Sequence, residues 1–320
     1  MCSQALASCG GSSEKWSGYI GVIAPASCGD SEDITAALEI LRSHDVNVKL
    51  GESVYSMYGY FAGSDQLRAD DVNNMFRDDE VKAILCVRGG YGAARVLDKL
   101  DYDMIAEHKK PLIGFSDISA LHVVLNERCG IKTIHGPMLT SLVSPSMNSE
   151  YTQAHFFAGL SGDIVSGEIP MPEGRKLEAV IPGQAEGIIT GGNLTLIASL
   201  VGTPYELKGE GALLLLEEVG EKIYRVDRML NQLWQNGLLQ RVSGILLGDF
   251  VNCGDSSVDP ESFTLDDVLR HYAELSGKPV IRVLPSGHGK YNLYLPFGVH
   301  AVMKANADGT ASLMIDGSDL

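Results

Sequence analysis

The chain has 320 residues, a formal net charge of -16, and 45% hydrophobic against 21% charged residues. That apolar share can fill two domains of ordinary size, while the acidic balance disfavours nucleic acid as a partner, because a phosphate backbone would be repelled. No apolar run reaches the roughly 18 residues that crossing a bilayer requires, so no membrane partner is expected.

Residues up to Lys15 are rich in Ser, Gly and Ala and lack a basic start followed by an apolar core. They read as a tail and not as a signal peptide, which makes the cytoplasm the expected location. The six cysteines, Cys2, Cys9, Cys28, Cys86, Cys129 and Cys253, form no C-x-x-C pair and stand at no zinc spacing. Reduced thiols without a catalytic role are expected, and neither a metal nor another cofactor.

In chain order, Tyr19–Ala24 reads as a buried strand. A helix follows at Ile34–Ser43, with Asp30 and Ser31 able to cap it. Val46–Leu50 is a second strand, Asp65–Phe76 a helix and Val81–Val87 a third strand. After a glycine turn, Gly89–Gly92, a helix starts near Ala93. Pro111–Phe115 is a strand and Ile118–Arg128 a helix. This alternation predicts an α/β fold with a mostly parallel sheet covered on both faces. Residues 144–182 combine prolines, glycines and charges with weak periodicity. Beyond them, strands are predicted at Ala185–Thr190, Ala212–Glu217, Gly244–Phe250, Val280–Val283 and Ala301–Asn306, and helices at Tyr224–Asn236 and Leu265–Leu275. The expected division is an N-terminal domain over 17–160, a linker over 161–182 and a smaller α+β domain over 183–320.

Four segments could carry chemistry. In Gly114-Phe115-Ser116-Asp117-Ile118-Ser119 a strand ends at a serine and a helix begins. A sharp turn there exposes the hydroxyl and aims free helix N–H groups at the same point. An ordinary G-x-S-x-G elbow is disfavoured by Ile118, and a serine that merely caps the helix would fit the same residues. Arg88-Gly89-Gly90-Tyr91-Gly92-Ala93 can bring backbone N–H groups to a ligand, either as an anion cradle or as part of an oxyanion hole, or can simply turn tightly. In Leu284-Pro285-Ser286-Gly287-His288-Gly289 a loop histidine lies between glycines. Leu213–Glu218 is an apolar strand ending in two acids, either of which could orient a histidine, with one of them expected as a solvated end-cap. A serine hydroxyl needs an adjacent base, so these parts share one chemical logic. His122 reads as a core residue and His135 as a residue that could line the cleft.

These segments resemble the LD-carboxypeptidases, serine peptidases that include muramoyltetrapeptide carboxypeptidase and the microcin C self-immunity peptidases. The resemblance runs through Val22–Ser27, Val87–Gly92, Leu112–Ile118, His135–Pro137, Gly191–Leu194, Leu216–Gly220, Tyr224–Leu230 and Leu284–Gly289, nearly the whole chain. It implies a flavodoxin-like N-terminal domain, a homodimer and no metal. It implies Ser116 as nucleophile, His288 as general base and then acid, and Glu217, the first of the acid pair, as the orienting carboxylate. The oxyanion hole would use the backbone N–H groups of Gly90 and Asp117. Arg88, Tyr91 and Arg225, with Arg228, are the candidates for holding substrate. The implied substrate is a murein tetrapeptide, cut between an L-centre and terminal D-Ala in peptidoglycan recycling. A microcin-type peptidase, or a two-domain binding protein without catalysis, are the alternatives.

Overall fold

A computed structural model of the chain describes residues 18–145, 147–254 and 262–319. The tail expected through Lys15 lies outside the described residues. Strands β1 (Tyr19–Ile23), β2 (Val48–Leu50), β3 (Val81–Cys86), β4 (Leu112–Gly114) and β5 (Thr133–His135) run parallel in the order β2-β1-β3-β4-β5. The side chains alternate between faces, as pleating requires. Between the strands lie helices α1 (Ser31–Ser43), α2 (Asp65–Arg77), α3 (Tyr102–Glu107) and α4 (Ser119–Cys129), and Ile84 and Cys86 join one core with Val72 and Phe76 of α2. Ala83, Leu85 and Val87 face the opposite core, built on Ile34, Leu38 and Leu41 of α1. Asp30 caps α1 as expected, accepting from the Glu32 N–H at 2.8 Å.

The second half supplies β6 (Gly167–Glu168), β7 (Glu178–Ile181), β8 (Gly183–Asn193), β9 (Leu213–Val219), β10 (Gly244–Val251), β11 (Val280–Arg282), β12 (Leu295–Phe297), β13 (His300–Ala305) and β14 (Ala311–Ile315). All but β12 form a mixed sheet in the order β6-β14-β13-β8-β9-β10-β11-β7, with β8, β9, β10 and β11 parallel. Strand β12 pairs antiparallel with β5 and extends the first sheet, so the two halves of the chain share a sheet edge. Residues 161–182, expected as a connection, contain β6 and β7, which pair with β14 and β11.

The weakly periodic stretch also holds a helix, α5 (Glu150–Leu160). Its apolar residues serve two cores: Phe156 is in the first-sheet core, with Phe157 packed against it and stacked on His44 at 3.8 Å between ring centroids, while Tyr151 packs against the core of the second sheet. No single stripe forms, and the helical period is hidden. Helix α4 is buried on every side over Ser119–Leu125, where it packs against both cores. Leu121 and Val124 join the first core and Val123 the second. The helix expected from about Ala93 is present as a 3-10 helix, Ala93–Lys99. The loops after β1, β3, β4 and β5 all leave the carboxyl edge of the parallel sheet, where open α/β sheets place their ligand sites.

Candidate active site

Ser116 follows β4 by two residues and opens the 3-10 turn Ser116–Ile118 that leads into α4. Its φ is +63°, a left-handed conformation uncommon for any residue but glycine. Gly114 makes the turn possible, since a Cβ there would lie 2.9 Å from Ile118 Cγ2. The glycine turn after β3 closes directly on this elbow. A Cβ on Gly89 would stand 2.9 Å from Ser116 Cβ, 3.0 Å from Ser116 Oγ and 3.1 Å from the Asp117 nitrogen. Nothing local in the sequence sets Gly89 apart from the rest of its turn, because only folding brings the two loops together.

The turn is pinned from behind. The Tyr91 N–H donates to Ser27 Oγ at 3.0 Å. Buried Arg68 donates to the Pro25 and Gly92 carbonyls at 2.6 and 2.8 Å. The Asp117 carboxylate accepts from the Ala93 N–H at 2.7 Å, tying elbow to turn. Burial raises the Asp117 pKa to about 6, against the opposing pull of the Ala93 bond and Arg68. Gly90 has φ +105°, and it is exposed along with Arg88 and Tyr91. The Tyr91 ring packs near Phe61 and Tyr60, at 5.7 and 6.1 Å between centroids.

Glu217 and Glu218 end β9 and, by the pleat, face opposite ways. Glu217 has no exposed surface, and its Oε2 lies 2.7 Å from His288 Nδ1. The glycine before the histidine is required here, because a Cβ on Gly287 would sit 2.6 Å from Glu217 Oε2. Glu218 corrects the expectation of a solvated end-cap. It is buried and accepts from the Thr195 N–H and Oγ1 at 2.9 and 2.7 Å, holding the start of α6 (Leu194–Leu200). Burial lowers the His288 pKa, but the bond to Glu217 and the charges of Glu217, Glu218 and Asp249 outweigh it, for a net rise above 6.5.

Phe115 joins the two halves of the site, its ring 4.9 Å from that of His288 between centroids. No hydrogen bond joins Ser116 Oγ to His288 among the described residues. The histidine loop is entered through Val283 at φ +69°, a strained position for a β-branched side chain. Beside it, a cavity of about 330 Å³ is lined by Arg175, Asp249, Arg270 and Arg282, among others. Arg175 pairs with Asp249 at 3.4 Å. Arg225 lies exposed on α7 (Ile223–Gln235), 3.3 Å from Glu221, with Arg228 over the Tyr224 ring.

The Ser116 elbow, the glycine turn pressed against it and a carboxylate–imidazole pair from the other half of the chain are thus brought together around Phe115. Profiles of the LD-carboxypeptidase N-terminal and C-terminal domains match residues 20–136 and 186–303. The chain belongs to the LD-carboxypeptidase family. It is 38% identical over 297 residues to a probable murein peptide carboxypeptidase of Bacillus subtilis, covering 91% of this chain and 90% of that one. It is 35% identical over 298 residues to the murein tetrapeptide carboxypeptidase of Pseudomonas aeruginosa, covering 90% and 94%. The crystal structure of muramoyltetrapeptide carboxypeptidase from Oxalobacter formigenes superposes with a TM-score of 0.81 at 28% identity, over 93% of this chain and 98% of that one. The two profiles meet the two halves of the site: the first contains Ser116 and the glycine turn, the second Glu217 and His288.

Proposed function

We propose that this LD-carboxypeptidase is a serine peptidase that hydrolyses murein tetrapeptide to tripeptide and D-Ala in peptidoglycan recycling, with Ser116, His288 and Glu217 as its triad. The observation that carries the reading is the 2.7 Å Glu217–His288 pair held against the Ser116 elbow through Phe115. The names of the relatives from Bacillus subtilis, Pseudomonas aeruginosa and Oxalobacter formigenes support the substrate class.

In this mechanism, His288 takes the Ser116 proton as Oγ attacks the amide carbonyl, and the ring closes onto Ser116 as substrate fills the cleft. Glu217 fixes the tautomer with the second nitrogen free and stabilises the imidazolium that forms. The Asp117 N–H at the helix start and the Gly90 N–H in the turn stabilise the oxyanion. His288 then protonates the departing D-Ala nitrogen, and water releases the acyl-enzyme. Exposed Arg88, at the mouth of the turn with Tyr91, is the proposed partner of the free carboxylate. Arg225, committed to Glu221 and Tyr224, would have to exchange those partners to serve.

A cytoplasmic homodimer accords with this reading. Cys28, Cys86, Cys129 and Cys253 are free thiols, and Met57, Tyr58 and Tyr60 form an exposed apolar group of the kind that partners cover. Mass spectrometry of disaccharide tetrapeptide, its all-L analogue and a microcin-like substrate after incubation with pure protein tests the assignment. D-Ala release from the tetrapeptide alone is expected. Cleavage confined to the all-L or microcin-like substrate would refute it.

A further inference from the structure

Behind the triad lies a second serine–histidine contact that the mechanism does not use. His135 Nδ1 and Ser286 Oγ are 2.9 Å apart, with both residues fully buried and 151 positions separating them in sequence. Each partner sits next to one half of the site. His135 ends β5 and is paired in register with Gly114, two residues before Ser116. Ser286 is two residues before His288, on the loop that leaves β11. The bond therefore ties the sheet that carries the nucleophile to the loop that carries the histidine.

The surroundings leave this contact little freedom. The His135 ring stacks on Phe297 at 5.2 Å and meets Phe115 edge-on at 6.0 Å, and Phe115 in turn touches His288. On the other side, the Ser286 carbonyl accepts from the Asp249 N–H at 3.0 Å and presses on Gly248, and the Gly287 N–H donates to Asn292 Oδ1 at 3.3 Å. His135 Nε2 is buried without a hydrogen-bond partner among the described residues. An apolar pair of the same shape would fill this space with no orphaned nitrogen, so packing alone does not account for a polar pair here. What the pair adds is one fixed distance between two elements that must stay in register for proton transfer.

We propose that His135 and Ser286 are positioning residues, and that their buried hydrogen bond sets the His288 loop at its working height over Ser116 and against Glu217. The proposal rests on the triad reading above. Neither residue touches substrate.

Ser286→Ala and His135→Phe, each keeping the volume nearly filled, test it by two routes. The first is turnover of disaccharide tetrapeptide: kcat should fall about 10- to 100-fold, as a misplacement of up to about 1 Å costs, with KM little changed. The double variant should be no worse than the weaker single one, since both remove the same contact. The second is an NMR titration of the His288 ring, which needs no turnover. Loosening the loop weakens the Glu217 contact and lets burial dominate, so the His288 pKa should drop in both variants. Ser286→Thr should restore both values. An unmoved His288 titration in Ser286→Ala, or a lowered melting temperature with kcat unchanged, would overturn the proposal. Should His135→Phe fail to fold, Ser286→Ala decides alone. Wild-type protein that releases no D-Ala while the His288 shift is still seen would instead count against the substrate reading, and leave the positioning role supported.

Discussion

Glu217 Oε2 stands 2.7 Å from His288 Nδ1, and the carboxylate has no exposed surface while the imidazole side chain keeps 16% of its own. The carboxylate is sealed while the imidazole still reaches the surface. Glu217→Gln keeps the shape but removes the charge and can favour the wrong tautomer, a change that lowers kcat about 10⁴-fold in a comparable triad. The pH profile moves as well. His288 must be neutral to accept a proton, so wild-type kcat/KM should fall as pH drops through a value above 6.5. Without Glu217, burial dominates and this acid limb moves to lower pH. A kcat/KM profile for both proteins checks the sign.

Ser116 holds φ +63° and should pay in stability for that geometry. Ser116→Gly is expected to abolish hydrolysis and yet stabilise the fold by about 1 kcal/mol, since glycine tolerates the left-handed region. Urea unfolding of the two proteins measures this directly.

Gly89 is the point where the turn touches the elbow. Gly89→Ala places a methyl group 3.0 Å from Ser116 Oγ and 3.1 Å from the Asp117 nitrogen. Displacing an oxyanion donor costs about 2.7–4 kcal/mol of transition-state stabilisation, or roughly 10²- to 10³-fold in kcat. Steady-state kinetics should register that loss, with the far-ultraviolet circular dichroism unchanged.

His122 Nε2 meets the Gly114 carbonyl at 2.8 Å in full burial, and burial lowers its pKa to about 4. The unfolded chain takes up this proton near pH 6.5 and the folded one only near 4, so stability must fall as pH drops between those values. The loss approaches about 3 kcal/mol by pH 4 for this one group. Facing it are the rings of His135 and Phe297, and His135, likewise held neutral by burial, adds in the same direction. Replacing His122 with Gln should flatten the stability profile over this range.

Four strands of the parallel first sheet, β1 to β4, were legible as short, mainly apolar segments set between helices and turns, as in Val81–Cys86 before Gly89, whereas the fifth, Thr133–His135, is too short and too polar to stand out. Ser116, Glu217 and His288 stood out in the sequence because each lies in a short, distinctive segment within or just after a strand, and the structure brings Glu217 and His288 together. What was hidden depends on contacts distant in sequence. Leu295–Phe297 is three residues long and becomes a strand only by pairing with Thr133–His135. Helix Glu150–Leu160 spreads its apolar residues over two environments. Glu218 looks like a surface acid until Thr195 is folded against it. Gly89, Arg68 and the His135–Ser286 bond act across gaps that no local pattern records.

Release of D-Ala from disaccharide tetrapeptide by wild type and Ser116→Ala, with tetrapeptide binding to both followed by calorimetry, tests the central claim most directly. Binding by both proteins with turnover reduced by several orders of magnitude in the variant is the expected result. Undiminished release by Ser116→Ala would contradict the account.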